Sequence, residues 1–224
     1  MNFSRELIEI YDLLYDRHGH QHWWPGETRD EIIIGAILTQ NTNWKNVEKA
    51  IENLKHKNLL TLTALRNAEI KEIAQCIRPS GYYNQKTTRL QEIAKFFHRN
   101  SLQCFGAHSI ANMRKELITL KGIGPETADS ILLYAFEKPV FIIDAYTTRI
   151  FQRLGFLPGG ISYEEAQKFF MQNLENNTKL FNEFHALLVR HAKEYCQKNP
   201  HCAKCVLLKK CKFENKNHDL NKKQ

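Results

Sequence analysis

The sequence predicts an all-α fold, and three observations support it. Apolar residues recur at helical spacing in one segment after another. Strand signals are few, and no internal repeat or low-complexity linker breaks the pattern. At 224 residues the chain can bury a good core, as one large domain or two small ones.

Residues about 3 to 17 set Leu7, Ile8, Tyr11, Leu14 and Tyr15 on one helical face, which predicts a docking helix. His18 to Gly26 is turn-rich and carries Trp23 and Trp24 just before Pro25. Paired tryptophans there form either a hydrophobic plug or the wall of a pocket for a flat ligand. Thr28 or Asp30 caps the next helix, Glu31 to Gln40, which is too continuously apolar to lie on a surface. At its end Gln40, Asn41, Thr42 and Asn43 gather polar groups beside Trp44. A helix cap accounts for part of that cluster and a nucleotide contact would account for the rest.

Helices follow at about Trp44 to Lys55, Thr61 to Asn67 and Ala68 to Cys76. Pro79 and Gly81 then open a loop, Arg78 to Lys86, that mixes basic, aromatic and amide side chains before a helix resumes to about Arg99. That composition suits a plain capped turn or insertion along a nucleic acid. Further helices are expected near Ile110 to Thr119, Ala145 to Leu154, Tyr163 to Asn173 and Lys179 to Tyr195.

Leu120 to Phe136 reads as a glycine turn feeding a helix. Gly122 and Gly124 flank Ile123, and Pro125 stands where a first-turn proline loses no hydrogen bond. Free amides then converge at a helix N-terminus, which suits a phosphate; an ordinary helix-turn-helix connection has the same outline. Asp144 follows the apolar run Val140 to Ile143, so its carboxylate emerges at the edge of a packed element or caps the next helix.

The formal net charge of +8 points to a polyanionic partner. The N-terminus alternates acids and bases with apolar residues, unlike a signal or transit peptide, and no apolar run is long enough to span a bilayer. A soluble, intracellular protein is expected, so its six cysteines read as metal ligands or buried thiols rather than disulfides. Cys196, Cys202, Cys205 and Cys211 lie close enough in sequence to enclose one metal centre, zinc or iron–sulfur, among lysines that would display positive charge. Cys76 and Cys104 lie apart and read as buried small hydrophobes.

Taken together, these residues resemble the helix-hairpin-helix DNA glycosylases of the endonuclease III superfamily, over nearly the whole chain. The matching features are Leu120 to Ala128, Asp144 and the four late cysteines. The resemblance implies a two-lobed fold. One lobe would be 28–136, ending in the hairpin at about 112–136. The other would join 1–27 to 137–214 and carry the cluster loop 196–211, leaving 215–224 as a disordered tail. It implies Asp144 as the catalytic carboxylate, which stabilises an oxocarbenium-like sugar or activates water, and Gln40, Tyr82, Lys121, Gly122, Gly124 and Thr127 as contacts to double-stranded DNA holding a damaged base. It implies a [4Fe–4S] cluster on Cys196, Cys202, Cys205 and Cys211 rather than zinc, in a loop one residue tighter than that of endonuclease III, and a monomer.

Within the superfamily the nearest likeness is to 3-methyladenine DNA glycosylase III, through Trp23-Trp24-Pro25, the run Ala36 to Thr42 and the segment Arg78 to Lys86. That likeness places Trp23, Trp24 and Trp44 around the flipped base, although those enzymes lack the four cysteines. Members that cleave the strand carry a lysine two residues after the second hairpin glycine. Glu126 stands there in this chain, and a carboxylate forms no Schiff base. The resemblance therefore implies a monofunctional glycosylase for alkylated purines. The alternatives are an endonuclease III-like glycosylase and lyase for oxidised pyrimidines, and a damage-binding module without catalysis.

Overall fold

The computed structural model describes residues 2–213, and the polar tail expected at 215–224 lies outside them. Among the described residues the chain forms twelve α-helices, short helical turns and no strand. None of these helices is long and apolar enough to cross a membrane. The chain divides into two compact units, one spanning Trp24–Lys138 and the other joining the residues up to Trp23 to those from Pro139 onward.

The continuous unit is built around α2 (Arg29–Leu38), capped by the Thr28 side chain on the Glu31 amide. Ile33, Ile34, Ile37 and Leu38 have no exposed surface, so this helix is the unit's centre. Asp30 accepts the Leu62 amide at 2.9 Å rather than capping its own helix. Around α2 pack α3 (Trp44–His56), α6 (Tyr83–Arg99) and α9 (Pro125–Ser130), while α4 (Leu62–Asn67) and α5 (Ile70–Ile77) lie against α6. Beyond α9 the helix loosens into a π-turn over Ile131–Ala135, all five residues buried.

Two sequence expectations change here. The segment between α5 and α6 is shorter than predicted: Arg78–Ser80 forms a 3-10 turn, and α6 already begins at Tyr83. Lys86 therefore lies on a helix and is buried, not displayed on a loop. A five-residue helix, α7 (Leu102–Gly106), was not foreseen. Its Ser101 cap fixes the Cys104 amide and turns Phe105 inward, so Cys104 is exposed, against expectation, while Cys76 is buried as expected. Phe105 meets Phe96, Phe97 and Phe136 edge-on in one aromatic cluster.

The second unit packs α1 (Phe3–His18), α10 (Ala145–Leu154) and α12 (Thr178–Glu194) together, with α11 (Tyr163–Asn173) against α1. The α1 stripe is Leu7, Ile10 and Leu14, whereas Ile8 and Tyr15 stand at its margin, each more than a third exposed. Spacing alone left the centre of that face one residue off. Phe141 is the keystone: it is fully buried, stacks on Phe170 at 4.2 Å and meets Phe181 and Phe184 edge-on. Phe141→Ala is expected to cost about 3–5 kcal/mol by denaturant titration.

Candidate active site

Asp144 ends the buried extended run Val140 to Ile143. Side chains of α11 hold that run: Gln167 donates to the Phe141 carbonyl at 2.8 Å, and the Ile143 amide donates to the Tyr163 hydroxyl at 3.4 Å. The chain then turns into α10 with Asp144 as its N-cap, Oδ1 accepting the Thr147 amide at 2.6 Å. Oδ2 lies 3.6 Å from Nε2 of His185, and the Asp144 side chain is only 12% exposed. Burial alone would raise this carboxyl's pKa. The His185 imidazole and the Thr147 amide outweigh burial and hold it below the ordinary aspartate range. Both sequence readings of Asp144, a carboxylate at the edge of a packed element and a helix cap, thus describe one geometry.

His185 was missed in the sequence because it shares the buried side of α12 with Phe181, Phe184 and Leu188, where Glu183 and His191 are buried as well, and nothing local singles it out. Tyr146, Arg149 and Lys193 complete the surroundings: Arg149 lies 5.2 Å and Lys193 6.0 Å from the Tyr146 ring, and Lys193 is close enough to feel the Asp144 charge.

In the continuous unit the structure brings the hairpin and the end of α2 together. The hairpin runs from α8 (Ile110–Ile118) into α9, with Gly122 at φ 86. A side chain there would be strained and would strike Arg89, so the fold itself demands glycine at 122. Gly124 differs, since its backbone is extended and an added Cβ would meet nothing within 4 Å. Gln40 donates to the Gly122 carbonyl at 3.0 Å and to Thr127 Oγ1 at 2.9 Å, and its own carbonyl accepts from Arg89. Its amide is therefore engaged inside the unit, and Thr127 is buried beneath it. Lys121 is exposed, and Tyr82 is 63% exposed in the left-handed region, at φ 46. The Gln40 to Asn43 cluster is largely satisfied by the protein: Asn43 caps α3, and Asn46 bonds Thr42.

Of the three tryptophans, Trp24 and Trp44 meet edge-on at 5.3 Å, and Trp24 also leans on Tyr134 at 5.1 Å. Trp24 packs against Gly35, where an added Cβ would come within 2.8 Å of the indole. Trp23 is half-buried in the other unit.

The cysteine loop is tied at both ends to Arg153. Its guanidinium donates to the carbonyls of Gln197 at 2.7 Å and Lys198 at 3.0 Å and to Cys196 Sγ at 3.2 Å, and its own carbonyl accepts the Lys212 amide. Among the described residues no three His, Cys, Asp or Glu side chains are grouped to hold a metal ion. The thiols are nonetheless near enough that Cys196, Cys202 and Cys211, with burial as the larger cause, push Cys205 up to about 11. The expected enclosure of one metal centre by the four cysteines is not formed among the described residues, although four thiol donors are the residue type that either zinc or an iron–sulfur group takes.

Comparison with known proteins places this arrangement. The model of the HhH-GPD superfamily of base excision DNA repair proteins matches residues 34–176. The chain belongs to that family. An inferred DNA repair glycosylase of Methanocaldococcus jannaschii is 43% identical over 92% of this chain and 95% of its own length. Endonuclease III of Sulfolobus acidocaldarius is 30% identical over 84% of each chain. Among solved structures, the 3-methyladenine DNA glycosylase MagIII of H. pylori, bound to 1,N6-ethenoadenine, superposes with a TM-score of 0.72 at 32% identity, covering 85% of this chain and 95% of that one. An endonuclease III–DNA complex superposes at 0.81 with 21% identity, a likeness of fold. The all-α glycosylase fold is thereby established, and the protein is a DNA glycosylase of this superfamily.

The Asp144 geometry has a consequence for stability. Its folded pKa is depressed, so its contribution is present above the unfolded value near 4 and is lost as pH falls through the lower folded value. The stability gap between wild type and Asp144→Asn, from urea midpoints, should stay flat from neutral pH to about 5 and narrow below about 4.

Proposed function

We propose that this protein is a monofunctional DNA glycosylase that removes alkylated purines, of the 3-methyladenine type, from duplex DNA. The observation that carries the reading is the Asp144 carboxylate, shielded from solvent yet held ionised by Thr147 and His185. A charge so placed stabilises an oxocarbenium-like sugar more strongly than it would in water. As the N-glycosidic bond breaks, its electron pair leaves with the base; water then adds at the sugar carbon and loses its proton to solvent. A cationic N3-methylated purine departs as a neutral base, so little acid catalysis at the base is needed. Glu126 supports hydrolysis without strand cleavage, because no amine stands at that position.

The other residues fall into supporting roles. Gly124, which the fold does not require to be glycine, leaves open space where a DNA phosphate approaches the hairpin backbone, with Lys121 alongside. Tyr82 fills the gap left by the flipped nucleotide, and Trp24 and Trp44, which meet edge-on, face the base; the likeness to MagIII supports a purine there. Cys196, Cys202, Cys205 and Cys211 would hold a [4Fe–4S] cluster, whose contribution is to fix the loop presenting Lys198, Lys204 and Lys209. The protein acts as a monomer.

On a duplex with one lesion, Asp144→Asn should lower single-turnover base release by about 10³-fold or more while DNA affinity changes little. Borohydride should trap no covalent adduct; a trapped adduct would overturn the monofunctional reading. Purified protein should be brown, and Cys202→Ser should lose the broad visible absorption, whereas a colourless wild type with zinc would refute the cluster.

A further inference from the structure

Lys86 is 1% exposed. It sits in the first turn of α6, and its ammonium donates to two backbone carbonyls, Leu38 at 2.8 Å and Ser80 at 2.7 Å. Leu38 is the last residue of α2, and Ser80 closes the 3-10 turn, so one cation joins the carbonyl ends of two helical segments. Those ends carry unpaired acceptors and partial negative charge, which is why a buried ammonium is tolerated there. Burial, with Arg89 nearby, nonetheless pushes it down to about 8.

What the two segments lead into matters more. Past Leu38 comes Gln40, bonded to the hairpin at Gly122 and Thr127. Past Ser80 come Gly81, at φ 70, and Tyr82, at φ 46, a strained conformation for a tyrosine that its surroundings must impose. Tyr82 is also the N-cap of α6, its carbonyl accepting the Lys86 amide at 3.0 Å as the helix's first backbone bond, so the turn and the lysine lie in one helical turn. An unbroken path therefore runs from the hairpin through Gln40 and Leu38 to the ammonium, and on through Ser80 to Tyr82. Every link lies within the continuous unit.

We propose that Lys86 is a positioning residue that holds the Tyr82 turn at a fixed reach from the hairpin, so that Tyr82 enters the duplex when the hairpin seats on the backbone. The proposal rests on the reading of Tyr82 as the wedge. It does not rest on which base is removed. Without the ammonium, two buried carbonyls lose their donor, the αL turn relaxes, and the wedge no longer arrives with the anchor.

The test uses the full-length protein and Lys86→Met, which keeps the stem and removes the charge. The first readout is 2-aminopurine fluorescence beside an abasic-site analogue, which reports unstacking and needs no base release. The variant should lose about tenfold in unstacking amplitude while binding undamaged duplex within about twofold. Lesion processing on paired duplex should fall by a similar factor and recover where the lesion is already unpaired in a bulge. Tyr82→Ala should give the same pattern, and the double variant should be no worse than either single, as expected when two residues act through one step. Normal unstacking by Lys86→Met, equal loss on paired and bulged substrates, or additive losses in the double variant would each overturn the proposal. If Lys86→Met does not fold, Lys86→Gln, which keeps a donor for one carbonyl, carries the same comparison. If wild type releases no base from any lesion, the glycosylase reading fails, yet the fluorescence comparison still decides the role of Lys86.

Discussion

A carboxylate that closes the first turn of a helix while facing an imidazole is the constraint on which the discontinuous unit is arranged. Asp144 is placed by the buried run before it, and that run is placed by Phe141 in the aromatic core and by Gln167 and Tyr163 on α11. Its ionisation is set against burial by the Thr147 amide and by His185 on α12. Core packing, helix capping and electrostatics thus converge on one oxygen pair. This is why the cap and the functional reading do not compete: the bond that fixes the carboxylate also helps keep it charged.

The continuous unit has a different logic, in which polar side chains bond backbone atoms across elements. Gln40 joins α2 to the hairpin and Lys86 joins α2 to the turn before Tyr82, while one side-chain ion pair, Arg114 with the fully buried Asp129 of α9 at 2.8 Å, adds to them. Buried polar groups of this kind hold turns in conformations that propensity alone would not choose, as at Gly122 and Tyr82. A rigid scaffold with its irregular segments pinned suits a protein that must address a nucleotide in a duplex.

Most of the helices were legible in the sequence because their boundaries rest on local chemistry. Thr28 caps α2, and the expected spans of α10 and α11 match the structure. The hairpin was legible for the same reason, since two glycines and a proline confine the backbone whatever surrounds them. What escaped depends on partners remote in sequence. Nothing local says that Lys86 turns inward, that His185 faces Asp144, or that the α1 stripe centres on Ile10 rather than Ile8. Trp24 and Trp44 show the same limit: the residues were identified, but their edge-on contact with each other and the seat of Trp24 against Gly35 were not. Glu126 is the opposite case, a single residue whose chemistry bears on the reaction without any geometry at all.

The proposed reaction has an ionised Asp144, with Glu126 rather than a lysine two residues after Gly124, release a cationic purine and leave the strand whole. Its most direct measurement is chromatography of the bases freed from methylated and oxidised duplex DNA, with strand integrity followed in the same reactions. The expected products are free 3-methyladenine and an intact strand bearing an abasic site. Release of oxidised pyrimidines with strand cleavage, and no purine, would contradict it.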